Sequence, residues 1–187
     1  MRLSQPRIAP VADGDLTQDQ RAALDAMGGP PLNIFRTLVH APKALTRFLE
    51  WGGYVLSRRN SLSARQREIV ILRIGFLCKS GYEFTQHTRI GLQAGLSEAE
   101  IAAIKTGAGA GTWDEADGAL IAASDELHAD QFITDATWAA LSKHFDAKQR
   151  MDVVFTAGQY TQVSMMLNTF GVQLDEGQTL DPDLKAF

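Results

Sequence analysis

An all-α fold of seven or eight helices is what this sequence predicts. Helix-capping patterns recur along the chain, and apolar residues follow them at 3.6-residue spacing. No turn dipeptide brackets the alternating apolar runs that a hairpin would need, and β-branched residues are scattered.

The elements follow in order. Thr17-Gln18-Asp19-Gln20 is a capping-box pattern with Leu24 and Met27 behind it at helical spacing, and Gly28-Gly29-Pro30-Pro31 stops that helix. A short segment covers residues 32–40. Pro42 suits the first turn of a helix that carries Leu45, Phe48, Leu49 and Val55. Ser63-Ala64-Arg65-Gln66 opens the next, with Ile69, Leu72, Phe76 and Leu77 on its apolar period. A helix from about residue 82 ends near Gly95, and Ser97-Glu98-Ala99-Glu100 starts another with a full capping box. Gly107-Ala108-Gly109-Ala110-Gly111 is too short to link independent domains and reads as a loop. Helices over residues 114–129 and 135–145 come next, and Asp146-Ala147-Lys148-Gln149 opens the last one, which runs towards Gly171. That helix carries Val153, Val154, Phe155, Tyr160, Val163, Met165, Met166 and Leu167 on several faces, a pattern that predicts burial against another subunit.

The 187 residues, 45% hydrophobic and 21% charged, suffice for one ordinary domain with its own core and exclude disordered, collagen-like and low-complexity chains. Residues 1–30 read as an N-terminal arm and first helix, available to pack on a neighbour; residues 31–187 form the helical domain. A net charge of −4, with Arg58, Arg59, Arg65, Arg67 and Arg73 thinly spread, argues against a nucleic-acid partner. Cys78 is the single cysteine, so neither an internal disulfide nor a cysteine-only metal site is available. No stretch approaches the roughly 20 apolar residues of a membrane span, and the first residues lack a secretory apolar run. A cytoplasmic protein without a membrane partner is expected.

Of His40, His87, His128 and His144, His87 has the most telling surroundings. It lies in Tyr82-Glu83-Phe84-Thr85-Gln86-His87, where Glu83 and His87 are four apart and share a helix face. A carboxylate beside an imidazole fixes its tautomer and raises its basicity, as acid–base chemistry requires; the same spacing also serves as an ordinary helix-stabilising pair. Glu68, early in its helix, reads on its own as plain helix electrostatics. Glu83 and His87 offer two metal ligands, with His128 near Asp125 and Glu126 the nearest further donor, so no metal is expected.

A longer pattern shifts that balance. Leu62-Ser63-Ala64-Arg65-Gln66-Arg67-Glu68-Ile69-Val70-Ile71-Leu72-Arg73, then Tyr82 to His87, then Ala94-Gly95-Leu96-Ser97-Glu98-Ala99-Glu100-Ile101 closely resembles the carboxymuconolactone decarboxylase family, which shares its fold with the alkylhydroperoxidase D proteins. The dense part of the resemblance is a motif core over residues 62–107. Looser likeness extends to Asn33-Ile34-Phe35-Arg36, to Ser124-Asp125-Glu126-Leu127 and to the last helix.

The resemblance implies roles for particular residues. The peroxidase branch uses a helix glutamate, a Cys-x-x-Cys pair and a histidine four residues after the second cysteine. Here Glu68 and His87 fill the glutamate and histidine positions, while Ser80 and Glu83 replace the two sulfurs. Peroxide reduction by a dithiol needs an attacking and a resolving thiol, so it is not expected. The branch without the pair implies a cofactor-free lyase that decarboxylates a small carboxylated lactone or dicarboxylate from aromatic-ring catabolism. His87 would be proton donor or base, and Glu68 and Glu83 orienting or second proton-transfer groups. Arg73, Arg36, Ser80 and Tyr82 are the expected substrate-binding residues for an anionic organic molecule. A homo-oligomer, a trimer or a hexamer of trimeric units, is also implied. Isomerisation of a conjugated ring-cleavage diacid at the same site, or a non-catalytic oligomeric binding protein, are the alternatives.

Overall fold

A computed structural model describes residues 1–111 and 113–185, and its architecture is all-α. Among the described residues there are nine α-helices: α1 (Gln18–Asp25), α2 (Asn33–Leu38), α3 (Pro42–Leu56), α4 (Ala64–Leu77), α5 (Gly81–Gln93), α6 (Glu98–Thr106), α7 (Glu115–Asp130), α8 (Asp135–His144) and α9 (Ala147–Phe170). The helix beyond the expected count is α2. It holds only six residues, and Asn33 N–H donates to the side chain of Asp175, a partner far down the chain that local spacing could not reveal.

The capping patterns close as written. Thr17, Ser63, Ser97 and Asp146 each form a reciprocal capping box, and Asp114 and Thr134 cap α7 and α8 with their side chains alone.

Helix α4 is the hub. It packs against α5, α7 and α9, and Ile69, Val70, Ile71, Leu72 and Ile74 are wholly buried. Because α4 is covered on several sides, its apolar residues run consecutively instead of forming one stripe. A smaller cluster, Val11, Leu24, Val39 and Leu45, seats α1 against α3.

The N-terminal arm lies on its own chain. Arg7 and Ile8 N–H groups donate to the Phe170 carbonyl, and Val11 N–H donates to that of Arg36. Gly171 ends α9 with φ +71°, and a Cβ there would stand 2.9 Å from the Gln5 carbonyl oxygen, so a side chain would push the arm away.

Helix α9 is two-sided. Val153, Ala157, Tyr160, Val163 and Leu167 face the core, whereas Met151, Val154 and Met165 are exposed. No helix among the described residues is long and apolar enough to cross a membrane.

Candidate active site

Helices α4 and α5 bring three ionisable side chains together inside the fold. Glu68, one turn into α4, meets His87 in the middle of α5: His87 Nδ1 donates to Glu68 Oε2 at 2.7 Å. On the ring's other side, Nε2 pairs with Glu83 Oε1 at 3.0 Å, the one-turn neighbour on α5. All three side chains are buried. Gly91, one turn beyond His87, permits the close approach of α4 and α5, since a Cβ there would lie 3.0 Å from Leu96 and 3.2 Å from Leu72.

The electrostatics follow from this sandwich. Burial opposes a charge on His87, but the carboxylates of Glu83 and Glu68 outweigh it and hold the pKa up to about 10. At neutral pH the group is an imidazolium between two carboxylates, with a net charge of −1. Both ring nitrogens are engaged, so neither lone pair is free for a metal. Among the described residues no group of three or more His, Cys, Asp or Glu has a metal-holding arrangement.

Glu83 and His87 form one wall of a cavity of about 320 Å³; Glu68 lies behind them. Ile34 and Phe35 from α2 and Phe48 and Leu49 from α3 make the facing wall apolar. Its polar lining comes from α5 and α9: Tyr82, Gln86, Arg89, Gln159 and Tyr160. The Tyr160 ring meets His87 edge-on with centroids 4.9 Å apart. Asp175 ties the walls together, because one carboxylate oxygen accepts from Tyr82 Oη (2.6 Å) and Gln86 Nε2 (2.7 Å) and the other from Asn33 N–H (2.8 Å).

The expected site residues divide sharply. His87, Glu68 and Glu83 converge, and Tyr82 lines the cavity although its hydroxyl is spent on Asp175. Arg73 and Arg36, the arginines expected at the substrate, do not line the cavity. The Arg73 guanidinium is clamped by Asp125 Oδ1 (2.5 Å) and the carbonyls of Ile104 (2.7 Å) and Lys105 (3.0 Å). Arg36 turns to Asp13 (2.7 Å) and the Val11 carbonyl (3.3 Å) in the arm. Ser80 is also displaced: it is fully buried just before α5, its hydroxyl unpartnered, and it is absent from the cavity wall. Cys78 ends α4 with its thiol 3.6 Å from His128 Nδ1, and burial pushes its pKa up.

Sequence reasoning missed Arg89, Gln159 and Tyr160. Arg89 was within reach: it is the one arginine or lysine lining the cavity among the described residues and lies two positions after His87. Gln159 and Tyr160 lie more than seventy residues away, in a helix where polar residues recur, and nothing local in the sequence marks them.

Residues 42–125 match the model of the carboxymuconolactone decarboxylase family. The match covers this segment, a little under half of the chain. The resemblance read from residues 62–107 lies within that match. Among solved structures, the alkylhydroperoxidase AhpD core of an uncharacterized peroxidase-related protein from Ralstonia eutropha JMP134 is similar with a TM-score of 0.77 and 17% identity, over 92% of this chain and 95% of that one. A peroxidase-related protein from Silicibacter sp. TM1040 gives 0.70 and 14%, over 98% and 93%. The debrominase Bmp8 in complex with 2,3,4-tribromopyrrole gives 0.73 and 11%, over 92% and 94%. At these identities the likeness is one of fold. No curated protein matches the chain by sequence.

Proposed function

We propose that this protein is a cofactor-free acid–base enzyme that moves a proton at carbon next to a carbonyl group, in a small, largely apolar organic anion. One observation carries the reading: a buried Glu68–His87–Glu83 relay whose Glu83 and His87 face an apolar cavity. Glu83 is a carboxylate base backed by an imidazolium, and accepting a proton takes the relay from −1 to neutral. A positioned base of this kind supplies roughly 10²–10⁴-fold in rate. Arg89, on the same helix and exposed at the cavity, offers a guanidinium to a substrate carboxylate.

Isomerisation is the form this site supports best. Glu83 takes a proton from the α-carbon of an unsaturated acid or lactone and returns one at the far end of the conjugated system. Decarboxylation of a carboxylated lactone from aromatic-ring cleavage is the second reading, supported by the apolar wall and by the family. There the bond to the carboxylate breaks, its electron pair enters the conjugated carbonyl, CO₂ departs, and the relay delivers a proton to carbon. Neither route oxidises or reduces anything. Peroxidase or debrominase chemistry, named for two of the similar structures, gains no support from a lone Cys78 lying off the cavity wall. An open cavity beside His87 favours an enzyme over a binding-only scaffold.

The test is incubation in D₂O with a panel of unsaturated lactones and ring-cleavage acids, including carboxymuconolactone, read by proton NMR and by trapping CO₂. Deuterium gain with a shifted double bond supports isomerisation, and CO₂ release supports the lyase. Neither, across the panel, would sink the proposal.

Assembly into a homo-oligomer of trimeric units belongs to the same proposal, supported by exposed Met151, Val154 and Met165 on α9 beside exposed Trp51 on α3. Light scattering on the eluting protein checks it, and a monomer mass would count against it.

A further inference from the structure

The three tyrosines of this chain do not use their hydroxyls alike. Tyr54 Oη donates to Asp152 at 2.7 Å and Tyr82 Oη donates to Asp175 at 2.6 Å. Tyr160 is 4% exposed, yet its Oη makes no hydrogen bond to any described residue. The atom is not one of the fully enclosed, unpartnered polar atoms, so it keeps access to open space, and a free donor there calls for an explanation. Its place supplies one. Tyr160 lines the cavity, on the same wall as Glu83 and His87, with its ring against the imidazole.

We infer that Tyr160 is the hydrogen-bond donor to the oxyanion that forms when a proton is moved at carbon in this cavity. This rests on the acid–base reading above and adds the group that reading lacks. Glu83 can take a proton, but the charge left behind must settle on the carbonyl oxygen. The C–H bond breaks and its proton passes to Glu83. The bonding pair becomes a carbon–carbon double bond, and the carbonyl π pair moves to oxygen. That oxygen accepts a hydrogen bond from Tyr160 O–H, which keeps its proton. The return step reverses the flow: Glu83, whose carboxyl proton exchanges with solvent, protonates the far end of the conjugated system, so the balance closes without a co-reactant.

Tyr160 is suited to donate and not to ionise. Burial, and then the nearby charges of Glu83 and Glu68, push its pKa well above the ordinary phenol value, so it stays neutral wherever the relay works. The arrangement defines the substrate class: a small conjugated carbonyl compound with one carboxylate, its carbonyl oxygen at Tyr160 and its carboxylate towards Arg89. A cavity of about 320 Å³ lies at the small end of the usual pocket range of about 300–1,000 Å³.

The probe is 4-nitrophenolate, a planar oxyanion whose absorbance reports its hydrogen bonding. It is added to the Glu83→Gln protein, which presents a neutral amide where the proton-loaded acid would stand. The expected result is saturable binding with a shifted absorbance band, and a loss of affinity of about tenfold or more when Tyr160→Phe is added. Equal affinity in the two proteins, or no binding to Glu83→Gln, overturns the inference. A second readout needs no change at Tyr160. With tyrosine labelled at the ring carbon bearing oxygen, the probe should move one of the three tyrosine signals of Glu83→Gln, and three unmoved signals would also overturn it. With Glu83 intact, Tyr160→Phe should lower kcat for exchange by roughly 10²–10³-fold with KM nearly unchanged. If the unsubstituted protein exchanges nothing while probe binding still depends on Tyr160, the acid–base reading fails and the oxyanion site stands.

Discussion

Two buried charge clusters in this fold have opposite characters. Around Arg73, one guanidinium is met by Asp125 and two carbonyls, and the cluster is not part of the cavity wall. Around His87, one cation is shared by two carboxylates, one of which lies on the wall of an apolar cavity. The first has matched charge, and its Nε and Nη1 donors are used within the fold, so it holds α4 to α6 and α7 away from the cavity. The second carries a surplus negative charge beside a space, which is the condition for a group that must take up a proton. A buried cation met by carboxylate is common to both; charge balance and access to the cavity separate them.

The largest expected effect lies in the second cluster. Glu83→Gln should cut exchange or turnover by roughly 10²–10⁴-fold while the protein stays folded, measured by deuterium uptake together with thermal melting. The matching change in the first cluster should do the reverse. Arg73→Met should cost about 1.5–3 kcal/mol of stability through lost charged hydrogen bonds, seen in urea unfolding, with the exchange rate of the remaining folded protein unaltered. Similar activity losses from both variants would erase the contrast.

The pH response sharpens it further. His87 titrates near 10 in the fold against 6.5 when free, so it binds its proton more tightly when folded. Its contribution to stability is complete below about pH 6.5 and is lost as pH rises through about 10. Urea midpoints should therefore fall over that window, and Glu68→Gln should flatten the fall. A flat profile in the unsubstituted protein would mean that the ring is not held as an imidazolium. The smallest effect is expected at the rim: Arg89→Met should raise KM for a monocarboxylate substrate by about tenfold and leave kcat nearly unchanged, because the guanidinium is distant from the bond being made.

The helices were legible because their instructions are local. Ser63 with Gln66, or Ser97 with Glu100, states a helix start within four residues, and both pairs close in the structure. The Glu83–His87 pair was legible for the same reason, being one helical turn. Glu68 was not, since nothing in spacing says that a residue nineteen positions earlier will reach the same imidazole; only the family resemblance placed it there. The surroundings of Arg73 were not legible either: an arginine in an apolar helix looks available until Asp125, fifty-two positions on, is seen to bind it. Tyr160 was invisible as a functional group because its distinction is the lack of a partner, a property of three-dimensional surroundings alone.

Asp175 joins the tail after α9 to Asn33 on α2 and to Tyr82 and Gln86 on α5. The pocket's outline is thus fastened from outside by a single carboxylate, like a buckle on a strap. A protease that nicked the tail ahead of Asp175 would slacken substrate capture while leaving every acid and base of the relay in place.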